Sequence, residues 1–155
     1  MFSHALISSG LFICIGILYD RYKTRNLIYY GGLVELMPFF SVFFFLLILS
    51  NISFPLTSNF IGELLVCTGL MENNYFLVFI MILSTFFNSI YSIWLFNRIF
   101  FGKNKFLKQF SDISEREFFI LFSIIFWIYL LGIKPNFFIN FIKNYSYWIL
   151  EYINY

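Results

Sequence analysis

Charge is scarce in this chain: only 12% of its 155 residues are Asp, Glu, Lys or Arg. A soluble domain of that length needs polar side chains to cover its surface. Here 61% of residues are hydrophobic and the mean hydropathy is +0.82. Water as the surrounding solvent is excluded, and the composition is that of an integral membrane protein. Histidine occurs once, at His4, and the two cysteines, Cys14 and Cys67, lie far apart in apolar segments with no C-x-x-C pair. That is too little for a metal site built from this chain alone, and the thiols read as small hydrophobes. The net charge of +2 comes with no basic helix and no basic–aromatic alternation, so nucleic acid is not an expected partner. There is no nucleophile–base pair, phosphate loop or redox motif. No internal repeat or low-complexity linker divides residues 1–155, which read as a single membrane domain.

What is abundant is aromatic. A quarter of the chain is aromatic, with 25 Phe and 11 Tyr, beside many Ile and Asn. Codons rich in A and T encode those residues, which hints at an organellar gene.

A spanning helix needs about 20 apolar residues at 1.5 Å rise each. The first candidate runs over 2–19; it has no basic leader and no small-residue cleavage site, so it is a span and not a signal peptide. The second, over 39–70, is too long for one straight span, and Pro55 divides it. The piece after the proline is too short to cross alone, so the pattern predicts one interrupted crossing. A third span covers 75–97. Ser114-Glu115-Arg116-Glu117 has the S-x-x-E pattern of a capping box, which opens a fourth span over 115–133, ended by Pro135. The tail, 137–155, mixes Phe, Tyr and Trp148 with Lys143 and Glu151 and reads as an interfacial amphipathic helix. The fold class is therefore all-α: a polytopic bundle of about four spans, one of them discontinuous at Pro55.

Orientation follows from the basic residues. Arg21, Lys23 and Arg25 follow the first span, and Arg98, Lys103, Lys105, Lys108 and Arg116 lie between the third and fourth. With four crossings, the loops 20–36 and 98–114 share a side, leaving only Lys134 and Lys143 for the other. The positive-inside rule puts the richer side in the cytoplasm or, in a mitochondrion, the matrix. The cluster Asp20-Arg21-Tyr22-Lys23-Thr24-Arg25 is expected to be a solvated loop that sets this topology.

Glu63 is the principal chemical candidate. A carboxylate among Phe60, Ile61, Leu64, Leu65 and Val66 is costly in lipid, so it should face protein or a hydrated cavity. There, removal from water favours the protonated form, and proton uptake and release become available. Pro55 lacks an N–H and its interruption frees backbone carbonyls. Thr57, Ser58 and Asn59 supply groups to satisfy them or hold water, and Ser58 or Asn59 is expected to cap the second half-helix, whose positive end favours the ionised carboxylate. Broken helices beside a buried charge recur in ion transporters. The competing reading makes Glu63 an assembly contact with a Lys or Arg of another chain. His4, with Ser8 one turn on, is either an interfacial residue or a proton relay. Ser84, Asn88 and Ser92 form a polar stripe at i, i+4 and i+8, with Thr85 and Tyr91 beside it. That stripe serves as hydrogen-bonding glue between helices or as a water path to Glu63.

The segments SHALISSGLFICIGILYDRYKTR, IYYGGL, FPLTSNFIGELL, YSIWLFNRIFFG and SEREFFI, in that order, resemble the C-terminal part of the chain 4 family of NADH:ubiquinone oxidoreductase, respiratory complex I. The resemblance runs from Ser3 to about Pro135. This family belongs to the antiporter-like membrane subunits, built from two inverted five-helix repeats, each with one helix broken at mid-membrane. The resemblance implies that residues 39–70 are the broken helix of the second repeat, that Glu63 is its proton site within the N-F-x-G-E motif, and that His4 relays protons on the hydrophilic axis. Ser8, Ser84, Asn88 and Ser92 would hold water there. It implies a proton-translocating subunit in the mitochondrial inner membrane, with loops 20–36 and 98–114 facing the matrix. The chain would carry no cofactor: FMN, iron–sulfur clusters and quinone would lie elsewhere in the complex. Its partners would be a polypeptide carrying the N-terminal half of the subunit, neighbouring antiporter-like subunits and membrane lipids. Two alternatives stand beside this reading: a subunit of a cation/proton antiporter, and a non-pumping structural piece of a membrane complex.

Two departures from the family pattern are present. The usual P-G-T at the break is Pro55-Leu56-Thr57, and since Leu adopts positive φ less easily than Gly, a turn different in detail is expected. The first repeat, with its Glu and Lys residues, is missing, which fits either a fragment or a subunit encoded in two pieces. A start at Ser3-His4, just after Met1, suits a split product and a fragment equally.

Overall fold

The computed structural model describes residues 1–103 and 111–136, together with 139, 140 and 143. Six helices occur in it: α1 (Phe2–Tyr22), α2 (Leu33–Leu36), α3 (Pro38–Asn51), α4 (Ser58–Asn73), α5 (Tyr75–Phe100) and α6 (Glu115–Ile133), with a short 3-10 turn at Leu27–Tyr29. α1, α5 and α6 are each long and apolar enough to cross a membrane, and α3 is a shorter apolar helix. The long segment expected over 39–70 is interrupted, with α3 and α4 on either side of residues 52–57. Most of the expected tail helix over 137–155 lies outside the described residues, as do Lys105 and Lys108.

α3 forms the centre of the bundle. Phe40, Phe44 and Leu47 are almost wholly buried, against Ile7 and Cys14 of α1, Phe100 of α5, and Leu121 and Ile128 of α6. The Phe100 ring lies 5.1 Å from that of Phe44 and 4.7 Å from that of Phe96, so part of the core is an aromatic cluster. The outer faces are opposite in character. Phe79, Phe86, Phe87 and Trp94 of α5 and Leu64, Leu65 and Val66 of α4 are exposed. A surface of that kind suits lipid tails or neighbouring apolar helices.

The 20–25 cluster departs from the sequence expectation of a solvated loop. Asp20, Arg21 and Tyr22 complete the last turn of α1, which ends at Lys23 in the left-handed conformation (φ 55°), its N–H donating to the Tyr19 carbonyl. Tyr22 is buried, and the Arg21 side chain is only 12% exposed. Arg21 donates to the Glu117 carboxylate at 2.8 Å and to the Asp112 carbonyl at 3.0 Å. A count of charges along one segment cannot show that α6 brings a carboxylate to meet the end of α1. Arg98 likewise lies in the last turn of α5, where a cation faces the helix's negative end.

The segment 111–117 fastens three helices. The expected capping box at Ser114 forms, with the Ser114 N–H donating to Glu117 at 2.8 Å. Asp112 accepts from the N–H groups of Phe39 at 2.9 Å and Phe40 at 3.3 Å. It thus caps α3, whose first residue, Pro38, has no N–H to satisfy.

Candidate functional site

α3 unwinds because its backbone meets Pro55 four residues beyond its last helical residue. Ser53 already sits at φ 63°, and its N–H turns back to the Ser50 carbonyl at 3.3 Å. The Phe54 N–H reaches the Leu49 carbonyl at 3.0 Å. After Pro55, Leu56 adopts φ 79°. The left-handed turn is therefore made by a leucine where glycine is the natural occupant, a conformation that costs roughly 1–2 kcal/mol for a residue with a Cβ. Thr57 is wholly buried, and its N–H and hydroxyl both donate to the Phe54 carbonyl, at 3.1 and 2.7 Å.

The capping of α4 differs from the expectation. Thr57 occupies the cap position, and its side chain makes no capping bond. Its hydroxyl is committed to Phe54, and the Ser58 hydroxyl is buried with no hydrogen-bond partner among the described residues. Asn59 acts as a bridge and not as a cap. Its amide nitrogen donates to the Ser53 hydroxyl at 2.8 Å and to the Glu63 carboxylate at 3.1 Å, and its oxygen accepts from the Ser3 hydroxyl of α1 at 3.4 Å. One side chain thus joins the two sides of the break, the carboxylate one turn along α4, and the start of α1.

Glu63 is half-buried on the wall of an open groove of about 480 Å³ between α4 and α5. Ser53, Cys67, Met81, Thr85 and Ser89 are the other polar or sulfur-bearing side chains lining it, among Ile52, Phe60, Leu64 and Phe86. No Lys or Arg forms an ion pair with Glu63 among the described residues. The only hydrogen-bond partner of its carboxylate there is the neutral amide of Asn59.

The predicted polar stripe on α5 divides. Asn88 donates to the Asn51 carbonyl at 3.1 Å, and the buried Ser92 accepts from the Asn51 amide at 3.3 Å, so both tie α5 to the end of α3. Ser84 is exposed and bonds within its own helix, to the Met81 carbonyl at 2.7 Å. The helix face turned to Glu63 is offset by one residue from the predicted one, at Thr85 and Ser89. Tyr91 lines a different cavity, with Leu11, Tyr19 and Arg25. His4 is exposed in the first turn of α1, and Ser8 bonds to the Ala5 carbonyl at 3.1 Å. Neither lines the Glu63 groove; the α1 residue that reaches the site is Ser3.

Sequence reasoning missed Ser3, Ser53, Cys67 and Ser89. Cys67 and Ser89 carried a signal, at i+4 from Glu63 and from Thr85. Ser3 and Ser53 carried none: the packing of α1 beside the break brings Ser3 to Asn59, and the irregular turn of the break brings Ser53.

Fold and site together define a class: a polytopic membrane helix bundle with an interrupted helix and a carboxylate held by a neutral partner just beyond the interruption. The chain belongs to the NADH:quinone oxidoreductase/Mrp antiporter transmembrane family, whose model matches residues 1–88. It is 53% identical over 146 residues to NADH-ubiquinone oxidoreductase chain 4 of Acanthamoeba castellanii, covering 92% of this chain and 29% of that protein. It is 49% identical over 156 residues to the chain 4 of Chondrus crispus, covering 99% of this chain and 32% of that one. With the chain 4 of Arabidopsis thaliana it shares 44% identity over 142 residues, 90% of this chain and 29% of the other. The chain therefore spans about three-tenths of the length of these relatives.

Proposed function

We propose that this chain is the C-terminal part of a proton-translocating membrane-arm subunit of mitochondrial complex I, in the inner membrane. There it would couple electron transfer from NADH to ubiquinone with proton pumping. The observation that carries the reading is Glu63, which lies about one turn into the helix after the break, opens on a groove, and is held by an amide, with no ion-paired Lys or Arg among the described residues. A carboxylate so placed can gain and lose a proton without breaking an ion pair. A cation approaching from a partner would favour its ionised form, and loss of that cation its protonated form. Charge movement elsewhere in the complex would thereby drive proton exchange at Glu63. α3 and α4 would together form one interrupted crossing, with loops 20–36 and 98–114 on the matrix side.

In this reading His4 relays protons to the site from α1, whose Ser3 already bonds to Asn59. Ser8, Ser84, Asn88 and Ser92 would contribute polar surface along the hydrophilic axis. FMN, iron–sulfur clusters and the quinone site would belong to other subunits. The polypeptide carrying the N-terminal half of the subunit, the adjacent antiporter-like subunits and membrane lipids would cover the apolar faces of α4 and α5.

The test is Glu63→Gln in the intact complex, with NADH–quinone turnover and proton pumping read in membrane vesicles and assembly on a native gel. Glutamine keeps the size and the hydrogen bond but cannot ionise, so assembly should persist while pumping and coupled turnover fall several-fold. Unchanged pumping would leave the chain as a non-pumping structural piece. Purification without NADH-oxidising activity, together with cation-driven proton exchange, would favour the antiporter reading.

A further inference from the structure

We propose that Gly132 of α6 is a positioning residue for the Glu63 site, acting through the backbone of the break; the proposal rests on Glu63 being a proton site. Gly132 is buried. A methyl group placed on it would overlap the Leu56 carbonyl oxygen and lie 2.6 Å from the Leu56 carbonyl carbon and 2.7 Å from that of Thr57. These are backbone atoms and cannot swing aside as a side-chain tip does. The contrast with the other helical glycines is sharp. Gly16, Gly62 and Gly69 have open space at the same position, and Gly10 meets the flexible end of Leu47. Only at Gly132 does the absence of a side chain let one helix touch the main chain of the interruption.

The contact matters because of what the touched residues hold. Thr57 is tied twice to the Phe54 carbonyl, so residues 54–57 form one stiff turn. Two residues on, Asn59 bonds to Ser53 before that turn and to Glu63 after it. A displacement of Leu56 and Thr57 changes the spacing between Ser53 and Glu63, and a single amide cannot then bridge both. α6 therefore sets the reach of Asn59 to the carboxylate without contributing a side chain to the groove. Glu63 and Cys67 are the titratable side chains lining the groove; the α5 face opposite contributes Thr85 and Ser89, and α1 contributes Ser3 through Asn59.

Gly132→Ala in the intact complex tests this, with Gly16→Ala as the control for placing alanine in an open position. The expected result is a complex that assembles, pumps several-fold fewer protons per NADH oxidised, and has a displaced pH profile for pumping; the control pumps as the unmodified complex does. Adding Leu56→Gly, which lets the turn take other backbone angles, should restore part of the lost pumping. A Gly132→Ala complex with normal pumping and profile overturns the proposal. If that variant fails to assemble, the double variant decides. A double variant that assembles with a displaced profile upholds the proposal. One that assembles with the unmodified profile, or does not assemble, makes Gly132 a packing residue only. Glu63→Gln separates the two levels: normal pumping there removes the proton site itself, whereas lost pumping there with a normal Gly132→Ala complex removes only the role of Gly132.

Discussion

Glu117 and Glu63 are the same residue in the same bundle, used in opposite ways. Glu117 stands at the start of α6, where it accepts from Arg21 at 2.8 Å and from the N–H of Ser114 at 2.8 Å. Its charge is committed to holding α1, α6 and the segment just before α6 together. Glu63 stands at the break with an amide for company. Among the described residues its carboxylate has that one hydrogen bond and no ion pair. A carboxylate locked to an arginine would be a poor proton carrier, because each protonation would strand a buried cation. The difference teaches that two glutamates of one bundle can be held by partners of opposite kind, a guanidinium for Glu117 and a neutral amide for Glu63, and the proposed proton role of Glu63 rests on that partner.

Four substitutions would break or sharpen that contrast. Arg21→Met should have the largest effect on stability, since it takes the cation from Glu117 and the donor from the Asp112 carbonyl at a partly buried position; removing one member of such a pair costs about 3 kcal/mol. A fall in the thermal midpoint of the assembled complex, or loss of assembly on a native gel, would show it. Equal stability with and without Arg21 would mean that the pair contributes no more than a surface contact. Glu63→Gln should be nearly silent in that same stability assay while lowering pumping, and the opposite order of effects for the two positions would reverse the comparison. Asn59→Leu should fall between them. It removes three hydrogen bonds around the break, each contributing about 1 kcal/mol, and it leaves Glu63 unheld, so both thermal stability and pumping should drop moderately. Leu56→Gly should be the smallest, a gain or loss within about 1 kcal/mol, because relief of the left-handed strain is offset by the greater freedom of glycine in the unfolded chain.

Much of the architecture was legible before the structure. The apolar runs located α1, α5 and α6, the S-x-x-E pattern marked the start of α6, and Pro55 marked the interruption. These signals are local, since hydropathy over 20 residues and a missing N–H act on the segment that carries them. The partners of Glu63 were legible only in part. Asn59 stands one helical turn before it, and its bond to the carboxylate follows from that spacing. Ser3 and Ser53 had no local mark. On α5 the expected polar stripe runs over Ser84, Asn88 and Ser92, whereas the face turned to Glu63 lies one residue away, at Thr85 and Ser89. A one-residue offset rotates a helix by about 100°, and nothing in α5 alone records which side α4 will occupy.

The sequence by itself determined that this is a membrane bundle with an interrupted helix and a carboxylate among apolar residues soon after the break, because composition, periodicity and proline act within each segment. Tertiary structure alone decided that Arg21 would meet Glu117 and that Asn59 would meet Ser3. It alone decided that Leu56 would take a left-handed turn against the bare backbone of Gly132. Those contacts join residues tens of positions apart, and their geometry depends on how α1 and α6 pack around α3.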